Sequence, residues 1–283
     1  MKKFSLLFLG LFVYCLISAQ RLHIGVFGGL AAYSGDLTEG FFPQKVTNGV
    51  IGITANYEIS DQLILRPGIS YTVVGGSDRF SKKEDLLLRN LSFETAITEF
   101  SLLGEYYLFN LYERNLSPYI FTGLAVYHFN PYAYSGSNQK VYLQPLSTEG
   151  QGLTGYSEQK PYNLTQLAIP AGIGLKFAIN DNLRIGMEGG LRKLFTDYLD
   201  DVSTNYADAT DLFNAKGQLA LDMSYRSDEA GGSLVYPTKG TTRGSPKNKD
   251  YYYFAGLHLT YRLGGGTSLR GSKGKMGCPA NVY

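Results

Sequence analysis

An alternation of apolar and polar residues returns in eight segments of this chain, at about 21–33, 48–58, 62–74, 95–109, 118–130, 165–179, 183–197 and 251–263. Around the second, Ile51, Ile53, Ala55, Tyr57 and Ile59 fall on one face, with Gly52, Thr54, Asn56 and Glu58 on the other. The third sets Leu63, Leu65, Ile69, Tyr71 and Val73 against Arg66, Gly68, Ser70 and Thr72. Successive side chains of a strand point to opposite faces, so a period of two predicts a strand with one apolar face. The sixth opposes Leu167, Ile169, Ile173, Leu175 and Phe177 to Gln166, Gly172, Gly174 and Lys176. The seventh opposes Leu183, Ile185, Met187 and Leu191 to Arg184, Glu188 and Arg192, and the eighth Tyr251, Tyr253, Leu257, Leu259 and Tyr261 to His258, Thr260 and Arg262. The fourth and fifth are less clean: in the fifth, Ile120, Leu124 and Val126 compete with Tyr119, Phe121, Tyr127 and Phe129.

The connections alternate as well. Ser60-Asp61 and Asn180-Asp181-Asn182 are tight hairpin turns, and 110–117 is a modest one. Long polar stretches at 34–47, 75–94, 131–164 and 198–250 lie between them. Short turns at one rim and long loops at the other predict an all-β fold, an eight-stranded antiparallel up-and-down transmembrane β-barrel. Every segment exceeds the roughly 9–11 residues that a tilted strand needs to cross a bilayer. A soluble sandwich would space its strands more evenly.

The polar face carries Arg66, Glu99, Glu105, Lys176, Arg184, Glu188, Arg192, His258 and Arg262. With the apolar face turned to lipid, these residues line the lumen. Eight strands enclose only enough room for side chains, and buried charges must pair or cost several kcal/mol each. The expectation is a polar lumen filled by Glu–Arg/Lys networks, not an open pore. Tyr106-Tyr107, Tyr119 and Tyr251-Tyr252-Tyr253 are expected at interfacial girdles.

Residues 1–19 read as a secretory signal peptide. Lys2 and Lys3 precede an apolar run from Phe4 to Ile17, shorter than the roughly 20 residues of a spanning helix, and Ser18-Ala19 offers a small-residue exit. Acylation at Cys15 is disfavoured by the bulky Tyr14 before it. No later stretch has 18 consecutive apolar residues. An exported chain of this kind belongs in the outer membrane among its lipids, with both termini periplasmic: 20–263 forms the barrel and its extracellular loops, and 264–283 a periplasmic tail.

The 283 residues hold 26 Lys+Arg and 24 Asp+Glu, and the signal removes two Lys, leaving 24 of each. That balance excludes a surface built to coat nucleic acid. Loss of Cys15 leaves Cys278 alone, so the mature chain has no internal disulfide. An odd cysteine in an exported protein points to an intermolecular bond or a reactive thiol. It sits in a tail that follows Gly264-Gly265-Gly266 and carries Arg270, Lys273 and Lys275 with no acid.

Little else in the chain reads as chemistry. His23, His128 and His258 stand on different strands without Asp, Glu or His at ligand spacing, so neither a metal site nor a cofactor is expected. His128 with Ser135 or Ser137 faintly echoes the Ser–His pairs of membrane lipid hydrolases, but a rim histidine before a Gly/Ser loop explains it as well. Gly25, Gly28 and Gly29 are not followed by a helix and read as strand glycines. Between Tyr206 and Tyr225 apolar residues fall partly at helical spacing, which leaves a short helix or a folded lid open. No catalytic residue is expected.

Two stretches carry a resemblance. His23-Ile24-Gly25-Val26-Phe27-Gly28-Gly29 running on to Tyr33-Ser34-Gly35-Asp36-Leu37 resembles the first strand and loop of PorG-type proteins. Tyr261-Arg262-Leu263 through Lys273-Gly274-Lys275-Met276-Gly277-Cys278-Pro279 resembles their C-terminal stretch. PorG is an outer-membrane barrel component of the type IX secretion system of Bacteroidota. The resemblance implies a non-enzymatic role in that machinery and a partner in the periplasmic ring of the lipoprotein PorK and its companion PorN. It further implies that Cys278 and the basic tail dock to the ring lipoprotein. A free-standing adhesin or envelope-stability barrel acting through its outer loops is the alternative.

Overall fold

A computed structural model describes residues 21–38, 46–233, 235–247 and 249–263. Among these residues ten strands form: β1 (Leu22–Ser34), β2 (Asn48–Glu58), β3 (Leu63–Ser77), β4 (Ser92–Tyr107), β5 (Leu116–His128), β6 (Tyr132–Tyr134), β7 (Lys140–Tyr142), β8 (Thr165–Ala178), β9 (Leu183–Leu194) and β10 (Tyr251–Arg262). Eight of them close a barrel in the order β3-β2-β1-β10-β9-β8-β5-β4, with β4 returning to β3. All pairings are antiparallel, and β1 lies beside β10, which brings the first and last strands together. The fold is a closed eight-stranded antiparallel β-barrel.

The side-chain period decides its surroundings. Ile173, Leu124, Met187 and Ile51 point outward and are 68%, 66%, 63% and 62% exposed, while Lys176, Ala125, Glu188 and Gly52 on the same four strands point in. A continuous apolar band around the whole wall is far larger than any patch tolerated in water, and it is what a bilayer requires. The barrel strands run 11 to 16 residues, enough to cross at a tilt. No helix among the described residues is long and apolar enough to cross a membrane. The ambiguous fifth segment resolves the same way: Ile120, Leu124 and Val126 face out, and Tyr119, Phe121 and Tyr127 face in.

One expectation about tyrosine is overturned. Tyr106 does face outward, but Tyr107, Tyr119 and Tyr252 are at most 1% exposed and point into the lumen, and Tyr253 is also buried. Tyr107 shares its parity with Glu105, and Tyr252 with His258, so the pleat carries them to the polar face. Their hydroxyls find carboxylate acceptors there, which an outward position in lipid could not supply.

The two rims differ in build. Short turns join β2 to β3 and β8 to β9, and Leu22 and Arg262 end at this short-turn rim. At the opposite rim β3 and β4 continue above their neighbours, pairing out to Ser77 and Ser92, so part of the expected 75–94 loop is strand. The 131–164 stretch carries the β6–β7 hairpin, which pairs onto β4 through Glu94 and Tyr132. Among the described residues, three short α-helices complete a cap: α1 (Glu84–Arg89), α2 (Ala209–Lys216) and α3 (Gln218–Ser224). The apolar spacing between Tyr206 and Tyr225 is therefore helical. Asp208 starts α2 by accepting from the Thr210 and Asp211 amides, and Gly217, at φ +83°, breaks the path between α2 and α3.

Candidate functional site

Glycine makes room for the lumen's charges. Gly172 and Gly190 face each other across β8 and β9, and a Cβ on either would come within 2.4 or 2.6 Å of the Phe121 ring. Phe121 fills that space, and the Arg66 guanidinium carbon lies 5.2 Å from its ring centroid. Arg66 contacts Glu105 at 2.8 Å and Glu188 at 2.7 and 3.2 Å. The Tyr107 hydroxyl donates to Glu105 at 2.6 Å, and the Tyr119 hydroxyl donates to Glu188. Lys176 Nζ lies 2.9 Å from His258 Nδ1, and His258 Nε2 pairs with Thr54 Oγ1 at 2.8 Å. All these charged groups are buried.

Two further layers flank this one. Toward the short-turn rim, Arg184 bonds Glu58 at 2.7 Å, and the Tyr112 hydroxyl donates to Glu58 at 2.7 Å. Buried Arg262 and His23 stand at the same level on β10 and β1, with His23 Nε2 3.8 Å from Glu58. Toward the cap, Arg192 Nε donates to Glu99 at 3.2 Å, and the Tyr252 hydroxyl donates to the same carboxylate at 2.6 Å. The arrangement is structural: each carboxylate of these layers meets a guanidinium and a phenol, so its charge is balanced where water is scarce. A void of about 30 Å³ among Ser70, Arg66, Glu99 and Glu188 has room for one or two waters. Above it, Tyr33, Phe93, Ile97, Tyr127, Phe129 and Leu194 belong to an apolar core at the capped rim.

Glu105, Glu188 and His258 offer ligand atoms within 4.8 Å of one another, a spacing that would suit a cation. The donor set does not fit one. Arg66 already contacts both carboxylates, and the Lys176 ammonium sits on the imidazole, so the cluster holds its own two cations. Nor do His128 and the serines after β6 come together: His128 Nδ1 pairs with Thr165 Oγ1 at 3.1 Å, and Ser135 with Ser137 at 2.9 Å.

The cap holds a second buried network that the sequence reading passed over. Arg243, 2% exposed, donates to Glu149 at 3.1 Å and to the carbonyls of Asp201 and Ser224 at 2.6 and 3.3 Å. Glu149 also accepts from the Ser203 and Thr204 amides, both at 2.9 Å, and from the Thr204 hydroxyl at 2.7 Å. Arg89 clamps Asp78 through two 2.7 Å bonds and reaches the Asp36 carbonyl at 3.0 Å. One arginine thus ties the 131–164 stretch to 198–250, and the other ties α1 to the loop after β1. Glu58, which pairs with Arg184, was also missed, although its place on the polar face of β2 was the available signal.

Beside that network sit four buried acids that make no ion pair among the described residues. Asp200 and Asp250 both accept from the Tyr33 hydroxyl, Asp250 at 3.1 Å. Burial pushes both carboxyls well above the usual range, and the charge of Asp200 adds to the effect on Asp250. Burial likewise pushes Asp197 and Asp201 up to about 6, against the lowering effect of the Ser203 hydroxyl on Asp197 and of Arg243 on Asp201. An acid raised from 3.8 to about 6 binds more protons folded than unfolded in between, so its contribution to stability falls as pH rises through that window. The cap is therefore expected to melt at a higher temperature at pH 5 than at pH 7.5, followed by near-ultraviolet circular dichroism of its tyrosines. Equal or reversed melting temperatures contradict this.

The tail residues Arg270, Lys273, Lys275 and Cys278 and the signal segment lie outside the described residues. Among solved structures, the chain is similar to Neisserial surface protein A at 9% identity and a TM-score of 0.43, covering 86% of this chain and 97% of that one. The attachment invasion locus protein Ail of Yersinia pestis is similar at 10% identity and a TM-score of 0.40, with coverages of 86% and 97%. OprG of Pseudomonas aeruginosa is similar at 10% identity and a TM-score of 0.38, with coverages of 86% and 98%. No curated protein matches. Residues 1–217 match the family described as a domain of unknown function, DUF6089, and the chain belongs to that family.

Proposed function

We propose that this barrel is a non-enzymatic outer-membrane component of the type IX secretion machinery, contacting a PorK/PorN-type periplasmic ring through its tail. The observation that carries the reading is the filled lumen. A barrel packed with ion pairs and capped by an apolar core offers no passage for a secreted protein, so its working surfaces are its two rims. The chain leaves β10 at the short-turn rim and runs from there into Arg270, Lys273, Lys275 and Cys278. Export through a signal peptide puts that rim in the periplasm and the cap outside. The resemblance of both chain ends to PorG-type proteins supports the choice of machine.

The test is purification of outer-membrane complexes from cells producing wild type, Cys278→Ser or a chain lacking 264–283. A ring lipoprotein should co-purify with wild type, in a thiol-sensitive high-mass adduct on non-reducing gels. Cys278→Ser should lose the adduct, and the tail deletion should lose the lipoprotein and secretion with it. Unchanged secretion without the tail would refute the reading. A second reading is favoured by the cap's own buried network around Arg243 and Glu149: an adhesin or envelope-stability protein acting from outside. It expects function to survive the tail deletion and to fail when 198–250 is trimmed.

A further inference from the structure

Above Thr98, β4 is flanked by the β6–β7 hairpin in place of β5, with Tyr132 opposite Glu94. Tyr132-Ala133-Tyr134 pairs in register with Lys140-Val141-Tyr142, so the pleat sorts their side chains onto two faces. Ala133 and Val141 turn inward to the apolar core of the capped rim. The three tyrosines and Lys140 share the other face, and the Tyr132 hydroxyl joins it to β4 by donating to Glu94 at 2.8 Å. Glu94 has the parity of Phe100 and Leu102, the lipid-facing side of β4, so the hairpin's tyrosine face continues the outer wall of the barrel. Tyr134 and Tyr142 are exposed there, as Tyr71 and Phe100 are lower on the same wall.

Height decides what this face meets. Outward-facing Thr98, His128 and Thr165 pair across β4, β5 and β8 and mark the upper end of the apolar band. Glu94 lies four residues further along β4, about 13 Å by strand rise and ~10 Å along the membrane normal at a tilt of roughly 40°. Hydrocarbon tails end below that height, and headgroups reach it. Tyrosine, with an apolar ring and a polar tip, suits such a layer. The charge matches as well. Lys140 is exposed and makes no ion pair among the described residues; its Nζ lies 3.5 Å from the Tyr132 ring centroid and 5.2 Å from that of Tyr142. The rings hold the ammonium on the outward face without neutralising it. Glu94, an acid of the same face, is occupied by the Tyr132 hydroxyl. Lys193, exposed on the lipid-facing parity of β9 toward the same rim, also has no ion pair among the described residues. Unneutralised lysines on an outer wall at headgroup height are drawn to an anionic lipid surface.

We propose that the β6–β7 hairpin rests on the membrane and binds an anionic, phosphate-bearing lipid headgroup of the leaflet beside the cap, with Lys140 on the phosphate and Tyr134 and Tyr142 in the headgroup layer. This depends neither on the secretion reading nor on the direction in which the cap faces in the cell. The chain has no tryptophan, so Tyr142→Trp gives the refolded full chain a single indole. In phosphatidylcholine vesicles a nitroxide on the lipid headgroup should quench that indole. Leu124→Trp, at a lipid-facing position, should instead be quenched best by a nitroxide midway down the acyl chain. Quenching of the indole at 142 by aqueous iodide and by neither nitroxide overturns the membrane contact. In neutral detergent, native mass spectrometry should find bisphosphorylated lipid A retained on wild type and its dephosphorylated form lost. Lys140→Gln should weaken retention about fivefold at an unchanged melting temperature, the factor that ~1 kcal/mol for one lysine at an anionic surface corresponds to. Lys140→Arg should restore it. Equal retention of the two lipid A forms, equal retention by wild type and Lys140→Gln, or displacement of the lipid by equimolar inorganic phosphate overturns the headgroup site.

Discussion

Arg66→Met is expected to destabilise the barrel by about 3–5 kcal/mol, the usual cost of leaving buried charges uncompensated. Methionine keeps most of the stem's volume, so the loss is electrostatic and not a cavity. Glu105, fully buried, and Glu188 both lose their guanidinium, and the phenols of Tyr107 and Tyr119 cannot replace a cation. Lys176 is another positive group that both carboxylates feel, but its Nζ is held at His258. Denaturant titration in detergent, read by the mobility difference between folded and unfolded protein on cold gels, measures the loss. Replacing Glu105 and Glu188 by glutamine in the Arg66→Met background should recover part of it, because neutral amides cost less to bury. A single variant as stable as wild type would mean that the lumen is wet and the pairs are screened.

Arg243→Ala is expected to open the cap while the barrel stays folded. The guanidinium contacts three separate stretches of the chain, and its removal leaves Glu149 buried among neutral donors. A loss of about 3 kcal/mol, at the lower end for a broken buried pair, raises the open population on the order of a hundredfold. Trypsin should then cut within 198–250 at Lys216, Arg226 or Lys239 that much faster, with amide exchange in the barrel strands unchanged. Equal protection of wild type and variant would show that the cap is held by its apolar contacts alone. Parallel loss of protection in the strands would show that cap and barrel unfold together.

Both effects rest on contacts that were legible to different degrees in the sequence. The lipid face was plain, because a bilayer accepts only apolar side chains and so enforces a strict period of two, as in Ile51, Ile53 and Ala55. The polar parity of Arg66, Glu105 and Glu188 followed from the same rule. Which carboxylate meets which cation did not, because Arg184 reaches Glu58 across the barrel from β9 to β2, a distance set by strand stagger. Tyrosine misled because one side chain suits both an interface and a wet lumen, and only its parity separates Tyr106 from Tyr107. The cap was the least legible part. Glu149 and Arg243 lie 94 residues apart in irregular chain, with no periodicity to announce either.

The barrel spans the membrane with its lumen closed by its own paired charges. Planar-bilayer recording of the purified, refolded protein tests it most directly. Insertion verified by protease protection, with no discrete conductance steps up to high voltage, is the predicted result, and trimming 198–250 should leave the bilayer silent because the ion-paired layers lie below the cap. Stable ohmic openings from the intact protein would contradict it.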